Sequence, residues 1–117
     1  MPKYAALIYR VEAAEQPAQG SPESRQLYRA WGAFNRDVAG AGVLISGTGL
    51  QPTATATSVR VRDGKTLITD GPFAETREQL GGILLFDCKD LDEAIQWASR
   101  VPDALTGCIE LRPVWEG

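Results

Sequence analysis

Histidine is absent from all 117 residues of this sequence. Imidazole is the usual proton carrier near neutral pH and the commonest transition-metal ligand, so its absence removes many kinds of enzyme. Serine and cysteine hydrolases that need an imidazole base are excluded, as are histidine-ligated zinc and iron sites. Chemistry based on carboxylates, Tyr, Lys or Arg stays open, and we predict no metal and no cofactor.

Cysteine is scarce, with only Cys88 and Cys108, and no CxxC spacing suggests zinc or redox chemistry. Both lie in apolar, strand-like segments, which predicts two buried, reduced thiols. A disulfide between neighbouring strands is the alternative, although disulfides are rare in the cytoplasm.

The sequence also lacks a strong excess of one sign of charge, since 12 Lys and Arg are scattered among 15 Asp and Glu. Without a basic patch to hold a phosphate backbone, we expect no binding to nucleic acid. No apolar run is long enough for a signal peptide or a membrane span, which predicts a cytoplasmic protein without membrane contact. The length predicts a single domain over residues 1–117.

The first half of the chain reads as strand, helix and strand. Lys3–Arg10 is apolar on both alternating faces and predicts a central strand. After a loop over residues 12–20, Ser21 caps a helix that ends near Gly40. A short strand follows at Val43–Ser46. The apolar stripe of the helix has spacings of four, three and four residues: Leu27, Trp31, Phe34 and Val38.

A β-hairpin is the strongest local signal. Asp63-Gly64 separates two β-rich runs, Thr57–Arg62 and Lys65–Thr69, and this dipeptide favours a type I′ turn. The alternation predicts that Val59 and Val61 face inward.

The last third repeats strand, helix and strand. Leu80–Cys88 predicts another central strand, and Cys108–Trp115 predicts the final one. Between them Asp90 and Glu93 form a capping box for a second helix. Its predicted buried stripe is Leu91, Ala94, Ile95 and Ala98.

These elements predict an α+β fold, a ferredoxin-like β-α-β-β-β-α-β antiparallel sheet with both helices on one face. The strands at each end of the chain are apolar on both faces, so the second face needs a cover. In a short chain a second copy is the simplest cover, which predicts a homodimer with a dimeric α+β barrel.

Secondary structure alone does not account for one segment, DGPFAETREQLGG at residues 70–82. Asp70 either fixes the turn through backbone N–H groups or acts as a general base. Phe73 either closes a pocket or packs under the loop. Glu75 contributes to a polar rim, a helix-like turn or an ion pair with Arg77.

Other candidate ligand-binding residues lie on the strands and the first helix. Trp31 belongs to the apolar helix stripe, so core packing is its first account and ligand stacking its second. Tyr9, Arg10 and Arg112 would line the sheet side of a pocket. Arg112 would anchor an anion or form a salt bridge.

The chain resembles the YCII-related proteins, and within them the DGPF branch. The resemblance rests on KYAALIY, GAFNRDVAGAGVLISGTGLQP, DGPFAETREQLGG, LDEAIQWA and IELRPVWE. It implies the dimeric barrel and a pocket between the sheet and the first helix, walled by the DGPF loop. Some relatives use a histidine and an aspartate for acid-base chemistry, and Trp31 and Val101 stand about where these would be. Neither side chain can act as a general acid or base near neutral pH.

Two functions are compatible with these observations. The first is a small homodimeric protein that binds a small aromatic or anionic molecule or acts as an accessory protein. Trp31, Phe73, Glu75, Tyr9 and Arg112 are its candidate ligand-binding residues. The second is a cofactor-free lyase or isomerase that acts on a small ring compound, with Asp70 as its base.

Overall fold

A computed structural model of the chain describes residues 2–12 and 17–116. The loop expected over residues 12–20 therefore lies partly outside the described residues. Eight elements follow one another: strand β1, helix α1, strands β2 to β5, helix α2 and strand β6. Their bounds are Lys3–Arg10, Pro22–Gly40, Leu44–Gly49, Thr57–Arg62, Lys65–Asp70, Gln79–Asp87, Leu91–Ala98 and Cys108–Pro113.

Four strands form an antiparallel sheet in the order β2-β5-β1-β6. The two strands that the sequence predicts to be central, β1 and β5, are the central pair. They lie side by side from the pair Lys3 and Asp87 to the pair Arg10 and Gln79. The α+β class and the antiparallel sheet are confirmed, whereas the sheet of one chain is open rather than closed into a barrel.

The core lies on the helix-covered face of this sheet. Alternate residues of β1 are buried there, and they meet alternate residues of β5 and the inner faces of both helices. Complete burial of each large apolar side chain stabilises the fold by roughly 1.5–3 kcal/mol. The fully buried side chains of largest volume are Phe86, Val38, Val101 and Cys88.

Helix α1 begins as the sequence predicts, because Ser21 Oγ accepts a hydrogen bond from Ser24 N at 3.1 Å and Pro22 occupies the first turn. Its apolar stripe divides into two parts. Phe34 and Val38 are buried, whereas Leu27 is exposed. The first half of α1 therefore stands clear of the core, and this separation opens a cavity.

Helix α2 begins at the predicted cap, where Asp90 Oδ1 accepts from Glu93 N at 2.9 Å. The reciprocal bond differs from the usual capping box, because Glu93 Oε1 accepts from Lys89 N at 2.9 Å. Ala94 and Ala98 are buried as predicted. Leu91 and Ile95 are exposed, and Trp97 packs against the core instead, edge-on to Phe34 at 6.4 Å.

The β3–β4 hairpin is confirmed with its turn, since Asp63 and Gly64 both have positive φ, 52° and 74°. It forms a two-stranded sheet of its own. The prediction that Val59 and Val61 face inward is wrong, because they are 61% and 60% exposed. Alternation indicates two faces, but it does not say that a core covers one of them.

Two further expectations need correction. The ferredoxin-like order has three strands between the helices, whereas the structure has four, and these are the four strands that the individual segments predict. Cys88 is buried, but Cys108 is exposed at the start of β6, so only one thiol is in the core, and both are free. Within the described ranges, no helix is long and apolar enough to cross a membrane.

Candidate functional site

A cavity of about 740 Å³ lies beside the first half of α1. Its walls come from the end of β1, one side of α1 and the segment after α2. Apolar and aromatic side chains line it together with a few charged ones, a composition typical of small-molecule sites. The lining includes Arg10, Leu27, Ala30, Trp31, Val101 and Asp103.

An ion pair joins two walls of this first cavity. Arg10 Nη2 donates to Asp103 Oδ2 at 2.6 Å, and the two side chains are 39% and 15% exposed. Arg10 ends β1, and Asp103 lies in the short 3-10 helix Pro102–Leu105 after α2. Gly107 brings this helix close, because its N–H donates to Asp103 O at 2.7 Å and its Cα lies against the carbonyl of Tyr9.

The position of Arg10 depends on the final glycines of the DGPFAETREQLGG string. The register between β1 and β5 shifts between Ile8 and Tyr9, which leaves Gly81 as an extra, bulged residue. A Cβ on Gly81 would lie 2.7 Å from Nε and 2.9 Å from Cζ of Arg10. Glycine therefore leaves the space in which the guanidinium group lies.

The same string also fixes the residues that follow β1. Gln79 Oε1 accepts from Glu12 N at 2.9 Å. The Glu12 carboxylate in turn accepts from Thr53 N at 2.9 Å and from Thr53 Oγ1 at 2.6 Å. These bonds connect the end of β1, the start of β5 and the segment before the hairpin. The second half of the string thus has a structural role, because Gln79 and Gly81 hold Glu12 and Arg10 in place.

A second cavity of about 480 Å³ lies between α1 and the strands β2, β1 and β5. Arg10 and Trp31 line both cavities, so they form the wall between them. The remaining lining is largely apolar or glycine, with Asn35 of α1 and Thr48 of β2 as its polar residues. Its glycines are Gly47, Gly49, Gly81 and Gly82.

The structure places three candidate residues of the DGPF loop away from both cavities. Asp70 ends β4 and is exposed, and Glu75 is exposed in the following loop. Phe73 is 78% exposed, so it does not pack under the loop. None of the three lines either cavity. The second cavity lies between the sheet and α1, and the glycine end of the string, Gly81 and Gly82, lines it.

Two other candidates lie on the opposite face of the sheet. Tyr9 and Arg112 alternate with the core-facing residues Ile8 and Leu111, so their side chains point away from the helices. Arg112 forms an ion pair with Glu110 of the same strand. Of the three residues expected to line the sheet side, only Arg10 reaches a cavity.

Trp31 is the predicted ligand-binding residue that the structure places in a cavity. It packs edge-on to Phe34 at a centroid distance of 5.9 Å and borders the core, which agrees with core packing, whereas ligand stacking by Trp31 stays a prediction. Val101 lines the first cavity with it.

Asp103 was missed by sequence reasoning, and Arg10 was named without its partner. The signal available in the sequence was a charged residue, Asp103, directly after the proline that follows the second helix. Its partner could not be identified, because 93 positions separate the two residues in the chain.

Comparison with known proteins agrees with the resemblance. The sequence profile of the YCII-related domain matches residues 2–117. A protein of Rhizobium meliloti (strain 1021), described only as uncharacterised, is 40% identical over 113 residues, which cover 95% of this chain and 90% of the relative. This chain belongs to the YCII-related family.

Proposed function

We propose that this protein binds a small aromatic molecule in the first cavity and serves as a binding or accessory protein. The observation that carries the proposal is a cavity of about 740 Å³ with Trp31 and the Arg10–Asp103 ion pair on its walls. Such volumes are typical of small-molecule sites, which combine an apolar lining with a few polar groups. Trp31 offers a ring surface, and the ion pair offers donors and acceptors.

A variant that fills the cavity tests the proposal. Ala30 lines the first cavity from the exposed side of α1, and Ala33 is exposed on the same helix without lining it. We expect Ala30→Phe to abolish the thermal stabilisation produced by aromatic acids or quinones, and Ala33→Phe to retain it. Ligand at about 100 times Kd stabilises the native state by about 2.7 kcal/mol, which a thermal shift detects.

Two outcomes would contradict the proposal. One is a panel of small aromatic acids, phenols and quinones in which no compound stabilises the wild-type protein. The other is a stabilising compound whose effect is the same in Ala30→Phe and Ala33→Phe, since its site would then lie elsewhere.

We further propose that the working form is a homodimer. The open face of the sheet carries Ala5, Leu7, Ile83 and Leu85, which pair across β1 and β5 and alternate with the core residues. Apolar surface of this kind on a central strand pair is typical of an interface. A second copy, related by a two-fold axis, would cover it with the same surface.

Light scattering combined with gel filtration tests the homodimer. Ile83 is 37% exposed at the centre of the open face, and Ile95 is 49% exposed on α2. We expect a wild-type dimer, a monomer for Ile83→Lys and a dimer for the matched variant Ile95→Lys. A monomeric wild type at micromolar concentration would refute the interface.

The alternative of a lyase or isomerase with Asp70 as its base gains no support from this arrangement. Asp70 is exposed at the end of β4 and lines neither cavity. A carboxylate that acts as a base has to reach a bound substrate within hydrogen-bond distance. The binding role is therefore the function that the geometry supports best.

A further inference from the structure

The β3–β4 hairpin presents an apolar face to solvent. Val59 pairs with Ile68 across the two strands, and Val61 follows on the same side, so the three side chains form one surface, the aliphatic face of the hairpin. Each of them is between 60% and 68% exposed. Thr66 and, at the base of the hairpin, Asp70 lie on the same side. Contiguous exposed apolar surface of this kind marks protein–protein contacts, whereas isolated exposed side chains are ordinary.

The opposite face of the hairpin is basic. Alternation places two cross-strand pairs there, Arg60 with Leu67 and Arg62 with Lys65. Three cations keep this face in water, because each would lose its hydration in a dry contact. The aliphatic face is therefore the one suited to a dry, apolar partner surface.

The hairpin is held at its base, so it projects as a fixed arm. Gly71 N donates to Ala56 O at 2.7 Å, and Ser58 Oγ donates to Gly71 O at 2.7 Å. Thr53, which precedes β3, donates through both its N–H and its hydroxyl group to the Glu12 carboxylate. Because Glu12 follows β1, the base of the arm adjoins the end of a central strand.

The chain has more accessible surface than a compact monomer of its mass. Its accessible surface is 8411 Å², whereas a compact monomer of 12.6 kDa has about 6,200 Å². Its radius of gyration is 16.4 Å, against about 13 Å for a compact chain of 117 residues. The excess of about 2,200 Å² is larger than the roughly 800 Å² that each partner buries in a standard stable interface. A second copy is the occupant that this excess favours, because an isologous contact covers the same surface on both copies.

We propose that the β3–β4 hairpin is an arm that docks its aliphatic face on a second copy of the chain, beside the contact between the two open sheet faces. The inference rests on the homodimer proposed above and deepens it, since it assigns the hairpin to the interface together with the sheet. The two-fold axis gives each copy one arm that it extends and one that it receives. An isolated two-stranded hairpin is marginally stable in water, so burial of its aliphatic face also stabilises the arm.

Sedimentation velocity over a dilution series tests the arm with two variants that lie one residue apart. Ile68→Lys places a charge on the aliphatic face, and Leu67→Lys places the same charge on the basic face of the same strand. We expect Ile68→Lys to raise the dissociation constant of the dimer at least about hundredfold, because each dimer contains two arms and each change costs at least about tenfold. Leu67→Lys should change the dissociation constant less than about fivefold.

Hydrogen exchange on the wild-type protein tests the arm without a substitution. Amides of β3 and β4 should exchange at least about tenfold faster below the dissociation constant than above it, because a hairpin without its cover opens more often. Equal exchange of these amides in the monomer and the dimer would overturn the docking of the arm.

The remaining outcomes separate the arm from the sheet interface. Equal dissociation constants for Ile68→Lys and Leu67→Lys overturn the arm and leave its aliphatic face to a different protein. If Ile83→Lys dissociates the dimer and Ile68→Lys does not, the homodimer stands and the arm is overturned. If Ile68→Lys dissociates the dimer and Ile83→Lys does not, the arm is supported and the sheet interface is overturned. A monomeric wild type at micromolar concentration overturns both, whereas binding in the first cavity is judged separately by thermal shift.

Discussion

The guanidinium group of Arg10 lies directly over the Cα of Gly81, and a Cβ at that position would approach Nε to 2.7 Å. Gly81 belongs to the string DGPFAETREQLGG, and Arg10 is the cation shared by the two cavities. The string therefore affects the candidate site because Gly81 has no side chain and so leaves room for Arg10. Its more conspicuous residues, Asp70 and Phe73, lie outside both cavities.

Gly81→Ala should displace Arg10 and weaken its bond to Asp103. We expect a loss of about 1–2 kcal/mol in the free energy of unfolding, because the arginine side chain moves and one charged hydrogen bond is lost. In the Asp103→Asn background the same change should cost less, with a coupling of at least about 0.5 kcal/mol. Urea denaturation of the four proteins measures this cycle. Equal costs in both backgrounds would contradict the connection.

Gly107→Ala should be much more damaging. A Cβ on Gly107 would lie 2.1 Å from the carbonyl oxygen of Tyr9, and both groups are held by the fold. We expect a loss of about 3 kcal/mol or more, because backbone rather than a flexible side chain must move. Gly32→Ala is the matched control on α1, where a Cβ meets nothing within 4 Å. It should stabilise the protein by about 0.5–1 kcal/mol in urea denaturation. Similar effects of the two changes would refute the contact.

The two cysteines should differ in reactivity. Burial raises the pKa of the Cys88 thiol to about 11, and the neighbouring carboxylates of Glu93, Asp87 and Asp90 contribute in the same direction. Cys108 is exposed. At pH 8 a thiol reagent should modify one cysteine per chain rapidly, and Cys108→Ser should remove that phase. A rapid reaction that survives in Cys108→Ser would show that Cys88 is accessible.

Stability should fall at alkaline pH because of Cys88. The folded-state pKa of about 11 exceeds the ordinary value of 9.0, so the unfolded chain releases this proton first. The free energy of unfolding is unaffected below pH 9 and decreases as the pH rises from about 9 to 11. Urea denaturation at a series of pH values should show a smaller decrease in the free energy of unfolding over this window for Cys88→Ala. Parallel curves for the two proteins would contradict the raised pKa.

Gly64→Ala should open the hairpin without unfolding the core. Gly64 has a φ of 74°, which costs a residue with a Cβ roughly 1–2 kcal/mol. Because β3 and β4 form their own sheet, the strain should act locally. Hydrogen exchange should become about tenfold faster in β3 and β4 and stay unchanged in β1 and β5. Asp63→Asn, which tolerates positive φ, is the control, and faster exchange throughout the chain would refute a local effect.

The sequence by itself determined the local elements. Ser21 and Asp90 cap helices because their side-chain oxygens satisfy free N–H groups, and Asp63-Gly64 turns the hairpin because it tolerates positive φ. Each of these preferences acts within a few residues. The family could also be recognised from the sequence, because the order and spacing of several segments agree with it.

Only the tertiary structure decided which residues line a site. Arg10 meets Asp103 and Gly81 because β1 lies between β5 and β6, and no local preference specifies that order. For the same reason alternation could not place Tyr9 and Arg112 on the face away from the cavities. The hairpin valines are exposed although their pattern is that of a buried strand. Burial depends on what packs against a face, and this is a property of the whole chain.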